Sequence, residues 1–128
     1  MAAEQHDRVL VVDDDPIIRE TMAAALGDEG YAVKVAGDGH QALATLREWR
    51  PDLIVLDLMM PVMDGFAFRS AQRGVDGCSD IPVVVLSAAH NVRSRVGELA
   101  PAAVFPKPFD LDEVLDTIGR LLNGPGAS

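Results

Sequence analysis

Three short apolar runs in this chain stop abruptly on a polar side chain, and no other feature narrows the possible folds as much. Val9-Leu10-Val11-Val12 stops at Asp13, Leu53-Ile54-Val55-Leu56 stops at Asp57, and Pro82-Val83-Val84-Val85-Leu86 stops at Ser87. Unbroken apolar runs of this length read as strands buried on both faces, as in a parallel sheet. Tyr31 to Ala36 has one partly polar face and suits an outer strand. Ala103-Val104-Phe105-Pro106 carries an interior proline and suits an edge.

Between these runs the apolar period becomes helical. After Asp15, a natural N-cap, and Pro16, the residues Ile17, Ile18, Thr21, Met22, Ala25 and Leu26 predict a helix ended by Gly27 or Gly30. Ala42, Leu43, Leu46 and Trp49 predict a second over His40 to Trp49, closed by Arg50-Pro51, with Trp49 as a core or rim packing residue. Phe66 to Arg73 gives a weaker helical signal, and Val92, Val96 and Leu99 predict a short helix that stops near Pro101. The strongest stripe is Leu111, Val114, Leu115, Ile118, Leu121 and Leu122, with Asp110, Asp112 and Glu113 at the positive end of the helix and Arg120 near its negative end. Five strands alternating with five helices predict an α/β, doubly wound fold around a five-stranded parallel sheet. At 128 residues the chain is expected to form one domain over 1–128, with its core at about 8–122 and flexible polar and Gly/Pro-rich ends.

Charge narrows the function classes. A net charge of −9, with no basic run, argues against direct contact with nucleic acid or an anionic membrane. No stretch approaches the ~20 apolar residues of a membrane span. Met1 to Arg8 is too polar for a signal peptide, so a cytoplasmic location is expected. The single cysteine, Cys78, permits no internal disulfide and is expected to be a small apolar filler.

The polar groups that end the runs share one edge of such a sheet. They are Asp13 and Asp14 after the first strand, Asp57 after the third, Ser87 after the fourth and Lys107 after the fifth. That carboxyl edge is where open α/β sheets bind ligands. Taken alone, Asp57 suits a cap or turn as well as a site. If the first and third strands are neighbours about 4.8 Å apart, their acids converge, and three carboxylates together repel one another unless a cation sits among them. Oxygen ligands without His or Cys favour a hard ion such as Mg²⁺. Acids, a hard cation, a hydroxyl and an ammonium describe a phosphoryl-transfer site.

The motifs Val-Val-Asp-Asp-Asp-Pro at 11–16, Asp-Leu-Met-Met-Pro-Val-Met-Asp-Gly at 57–65, Leu-Ser-Ala at 86–88 and Lys-Pro-Phe at 107–109 resemble the receiver domain of two-component response regulators over residues 8–122. The resemblance implies a flavodoxin-like sheet of order 2-1-3-4-5, here as an apparently stand-alone receiver. It implies that Asp57 accepts a phosphoryl group from a sensor histidine kinase or a histidine phosphotransfer protein, in a reaction needing Mg²⁺ or Mn²⁺. Asp13, Asp14 and Asp57 would hold the metal together with the backbone carbonyl of Met59. Ser87 would hydrogen-bond the phosphoryl oxygens, Lys107 would pair with them, and the Lys107–Pro108 bond would be cis. The expected output is a changed interaction with a downstream protein, with phosphorylation-dependent dimerisation as one form of it.

Two positions depart from the family's pattern. Val104 stands where an aromatic residue often lies three before the lysine, and Phe105 faces the other side of its strand. Ser87 and Lys107 are close in sequence, which predicts a shortened connection around Pro101. Met59 and Ala89, two beyond the acceptor and the hydroxyl, cannot orient an attacking water, so slow to intermediate self-dephosphorylation is expected. Two competing readings remain at this stage. One is a phosphorylation-independent interaction scaffold. The other is an aspartyl-phosphate phosphatase of the haloacid-dehalogenase type, whose Asp-x-Asp motif would require an acid where Met59 stands.

Overall fold

In the computed structural model, which describes residues 7–58, 65–87 and 101–123, the five predicted strands form one parallel sheet. They are β1 (Arg8–Val12), β2 (Ala32–Ala36), β3 (Leu53–Asp57), β4 (Val83–Ser87) and β5 (Ala103–Pro106), in the order β2-β1-β3-β4-β5. The helices among the described residues are α1 (Pro16–Asp28), α2 (Gly39–Glu48), α3 (Gly65–Gln72) and α4 (Leu111–Asn123). The fold is therefore the doubly wound, flavodoxin-like one expected. Four helices are described where five were predicted; the helix placed around 92–99, and the connection thought to be shortened, lie outside the described residues.

The period of two along each strand sorts its side chains between two cores. Leu10, Val12, Ile54, Leu56, Val83 and Val85 pack with Leu43 and Leu46 of α2 and Phe68 of α3. Val9, Val11, Leu53, Val55, Val84 and Leu86 pack on the opposite face with Met22 and Leu26 of α1 and Val114 and Ile118 of α4. Every residue of β1 from Val9 to Val12 is fully buried, as the unbroken apolar run requires. Sequestering such a side chain contributes about 1.5–3 kcal/mol, so these two layers are what hold the strand ends in place. Cys78 is buried among the first group as a filler.

The boundaries follow local chemistry. Asp15 caps α1, its Oδ1 accepting from the Ile17 N–H at 2.9 Å and the Ile18 N–H at 3.4 Å, with Pro16 opening the helix. Gly30, not Gly27, ends it: Gly30 has φ +98°, and the Tyr31 N–H returns to the Leu26 carbonyl at 3.2 Å. Glycine takes that left-handed conformation without a Cβ penalty. Trp49 falls just outside α2, in extended backbone, and packs partly buried on the rim of the first core. Asp110 caps α4 by accepting from the Asp112 N–H at 2.9 Å.

Candidate functional site

The register Val12↔Leu56 makes Asp13 and Asp57 the next residues on neighbouring strands, which is why two acids far apart in sequence meet. Asp13 is fully buried and Asp57 is 3% exposed. Asp14, where the chain leaves the sheet for α1, is exposed. One carboxylate oxygen from each of the three lies within 4.8 Å of the others. Lys107, just past β5, reaches back so that its Nζ is 3.1 Å from Asp13 Oδ2 and 3.4 Å from Asp57 Oδ1. The Lys107–Pro108 peptide is cis, as the resemblance implied.

Asp13 is held at each of its polar groups. Its N–H donates to the Ala36 carbonyl at 3.1 Å, and its own carbonyl accepts from Arg19 Nη1 at 3.1 Å. Its Oδ1 accepts from the Asp15 N–H at 2.9 Å, and Oδ2 accepts from Lys107. A buried carboxylate is tolerated only when it is paired and hydrogen-bonded in this way.

Burial works against the charge on the Lys107 ammonium, but the neighbouring Asp57 charge and the bonds to Asp13 outweigh it and hold the group above the usual lysine value. The lysine is therefore a cation at any ordinary pH. Three carboxylates set against one ammonium leave two negative charges in the pocket. The donor set is all oxygen, has one exposed member and lacks His and Cys, which fits a hard divalent cation that retains part of its water shell.

Of the residues expected at the site, the structure brings together Asp13, Asp14, Asp57 and Lys107. Ser87 is the last residue of β4, paired with Pro106 and next to Leu86, the partner of Asp57. The Ser87 side chain, Met59 and Ala89 lie outside what the structure describes. On β5, Val104 is 42% exposed while Phe105 packs against the second core, so the alternation predicted from sequence holds. Sequence reasoning overlooked Arg19. A cation in the first turns of a helix faces the positive end of the helix dipole, and that unfavourable placement was the available signal. It also overlooked the buried pair Arg69 and Gln72, three apart on α3. Gln72 Oε1 accepts from Arg69 Nη1 at 2.9 Å, and Gln72 Nε2 donates to the Cys78 carbonyl at 2.8 Å, securing the connection into β4.

Comparison with known proteins agrees with this geometry. The family model of the response regulator receiver domain matches residues 9–119. Response regulator MprA of Mycobacterium tuberculosis is 43% identical over 117 residues, which cover 90% of this chain and 50% of MprA. The chain thus spans about half the length of that relative. Among solved structures, the chemotaxis response regulator CheY4 of Vibrio cholerae superposes with a TM-score of 0.84 at 33% identity, covering 92% of this chain and all of CheY4. Response regulator TrrA of Thermotoga maritima, solved in complex with Mg²⁺-BeF, gives 0.80 at 33% identity, covering 91% of this chain and 99% of that one.

Proposed function

The chain belongs to the response regulator receiver domain family, and on that premise we propose that Asp57 is the phosphoryl acceptor of a Mg²⁺- or Mn²⁺-dependent transfer from a histidine kinase or phosphotransfer protein. What supports this reading above all is the convergence of Asp13, Asp14 and Asp57 with the Lys107 ammonium 3.4 Å from an Asp57 oxygen. An Asp57 carboxylate oxygen attacks phosphorus, an O–P bond forms, and the N–P bond to the donor histidine breaks as its ring leaves. A carboxylate approaching an anionic phosphoryl group needs its charge offset, because this transfer is catalysed by positioning and neutralisation. Lys107 supplies one positive charge, and Asp13, clamped on all sides, keeps that ammonium in place. Asp13, Asp14, Asp57 and the Met59 carbonyl would hold the metal, whose chemistry is to neutralise the transferring oxygens. The Ser87 hydroxyl would donate to one of them.

A protein donor suits the rim of the pocket. Ile17, on the first turn of α1 beside the acids, is 76% exposed, and with Ile18, Met22, Phe109 and Leu111 it borders an apolar groove between α1 and α4. The acyl phosphate carries nearly two negative charges, and the output is a changed protein–protein contact. Val104 offers an exposed aliphatic surface instead of a ring, so that output runs without an aromatic rotamer at this position. None of the helices among the described residues is long and apolar enough to cross a membrane, and the domain is proposed to act in the cytoplasm.

Incubation with Mg²⁺ and acetyl phosphate, or with a cognate kinase, followed by intact-mass measurement tests the assignment. The wild type is expected to gain one phosphoryl group and Asp57→Asn to gain none. No gain on the wild type from either donor, or a gain at another residue in preference, overturns it. With Met59 and Ala89 at the water-orienting positions, the phosphorylated form is expected to decay slowly. Loss within seconds in the absence of a phosphatase contradicts that expectation.

A further inference from the structure

Arg19 lies on the half-buried side of α1 and points its guanidinium at the main chain of the acidic site instead of at any of the acids. Its Nη1 donates to the Asp13 carbonyl at 3.1 Å. That oxygen belongs to the peptide unit joining Asp13 to Asp14, so a hydrogen bond to it sets the plane of the unit and with it the direction in which the Asp14 side chain leaves the backbone. Asp14 is the exposed acid of the cluster and lacks the burial that immobilises Asp13 and Asp57. Its aim depends on the backbone that carries it.

The guanidinium sits close over a glycine. A Cβ on Gly37, in the turn after β2, would stand 3.1 Å from Arg19 Nη1 and 3.5 Å from Gln41 Oε1. Gly37 is not in a left-handed conformation, and a side chain there would require the Arg19 guanidinium to give by a few tenths of an ångström. The turn is held from both sides. The Gly37 N–H donates to Gln41 Oε1 at 2.9 Å, and the preceding Ala36 carbonyl accepts from the Asp13 N–H at 3.1 Å. Arg19 and the Ala36–Gly37 turn thus grip Asp13 by its carbonyl and its N–H.

We propose that Arg19, seated over Gly37, is a positioning residue for the metal site: through the Asp13–Asp14 peptide it aims Asp14 at the cation. The proposal rests on the reading of the acidic cluster as a Mg²⁺ site. Geometry and charge predict opposite signs here. If Arg19 acts only as a nearby positive charge, removing it relieves repulsion and tightens Mg²⁺ binding. If it acts as a clamp, removing it loosens Asp14 and weakens binding, by about tenfold as for outer partners of metal ligands generally.

Titration calorimetry with Mg²⁺ on the wild type, Arg19→Ala and Gly37→Val separates these outcomes, with melting temperatures taken without metal to show that each is folded. Gly37→Val keeps the charge and displaces the guanidinium, so it serves even if Arg19→Ala folds poorly. Both variants are expected to bind Mg²⁺ about tenfold more weakly, and both are expected to regain nearly the wild-type rate of phosphorylation by acetyl phosphate at saturating Mg²⁺. Unchanged or tighter binding by Arg19→Ala overturns the proposal, as does wild-type binding by Gly37→Val. Failure of the wild type itself to bind Mg²⁺ overturns instead the metal-site reading on which the proposal rests.

Discussion

At the amino-terminal end of the sheet, Asp52 accepts from the Arg8 N–H at 2.8 Å and stands 3.8 Å from the Arg50 guanidinium, with both side chains about half exposed. At the carboxyl end, Asp13 and Asp57 share the one ammonium of Lys107, and both are nearly or fully buried. Both ends are charged, yet they differ in balance and in hydration. Charges at the amino end are matched and wet, the ordinary way for a sheet to meet water. At the carboxyl end acids outnumber the cation among the assembled groups and are withdrawn from solvent, an arrangement with a cost in stability that a structural role does not repay. Buried charge imbalance, more than the number of acids, is what marks the site.

Substitutions at the two ends should therefore diverge. The largest stability effect is expected for Lys107→Ala in metal-free buffer, which leaves Asp13 and Asp57 side by side without the ammonium between them. A loss of about 3 kcal/mol by denaturant unfolding is expected, and added Mg²⁺ should recover more of it than it adds to the wild type. The same lysine sets an alkaline limit. Because its folded-state pKa is raised, its contribution is complete below the unfolded value of about 10.4 and is lost as pH rises through the folded one. The melting-temperature difference between wild type and Lys107→Met should hold from neutral pH to about pH 10 and shrink above it. At the amino end, Trp49→Ala removes a half-buried ring flanked by Arg8 and Lys34, each 5.4 Å from its centroid. It should cost about 2 kcal/mol and leave phosphorylation of Asp57 at the wild-type rate. Arg50→Ala removes the solvent-facing pair with Asp52 together with the Nε bond to the Gly77 carbonyl at 2.6 Å, and should shift stability by about 1 kcal/mol in the same assay. A catalytic defect in Trp49→Ala, or a stability loss in Arg50→Ala as large as in Lys107→Ala, would erase the distinction between the ends.

The sheet and the charged core of the site were legible because both depend on short-range regularities. Unbroken runs such as Val9 to Val12 announce strands buried on both faces, and a residue that ends such a run must lie at the sheet's edge. Asp13, Asp57 and Lys107 needed only the strand order to be brought together. Arg19 was not legible in the same way. Its contact with the Asp13 carbonyl depends on how α1 lies over the end of β1 and on the space above Gly37, neither of which leaves a periodic trace. Arg69 and Gln72 escaped for a related reason, since a polar pair at helical spacing ordinarily marks a solvated face, and here that face is covered by the connection through Cys78 and Ile81.

Trp49 is the chain's single tryptophan, and it lies beside Arg8, five residues and about 16 Å along β1 from Asp13. The molecule therefore carries one indole, excitable apart from Tyr31, located away from the acidic edge and seated between two cations at the opposite end of the sheet. Its emission should follow the loss of the sheet on unfolding and stay constant while the charge on Asp57 changes, giving every variant of the acidic edge a common optical gauge of whether it is folded.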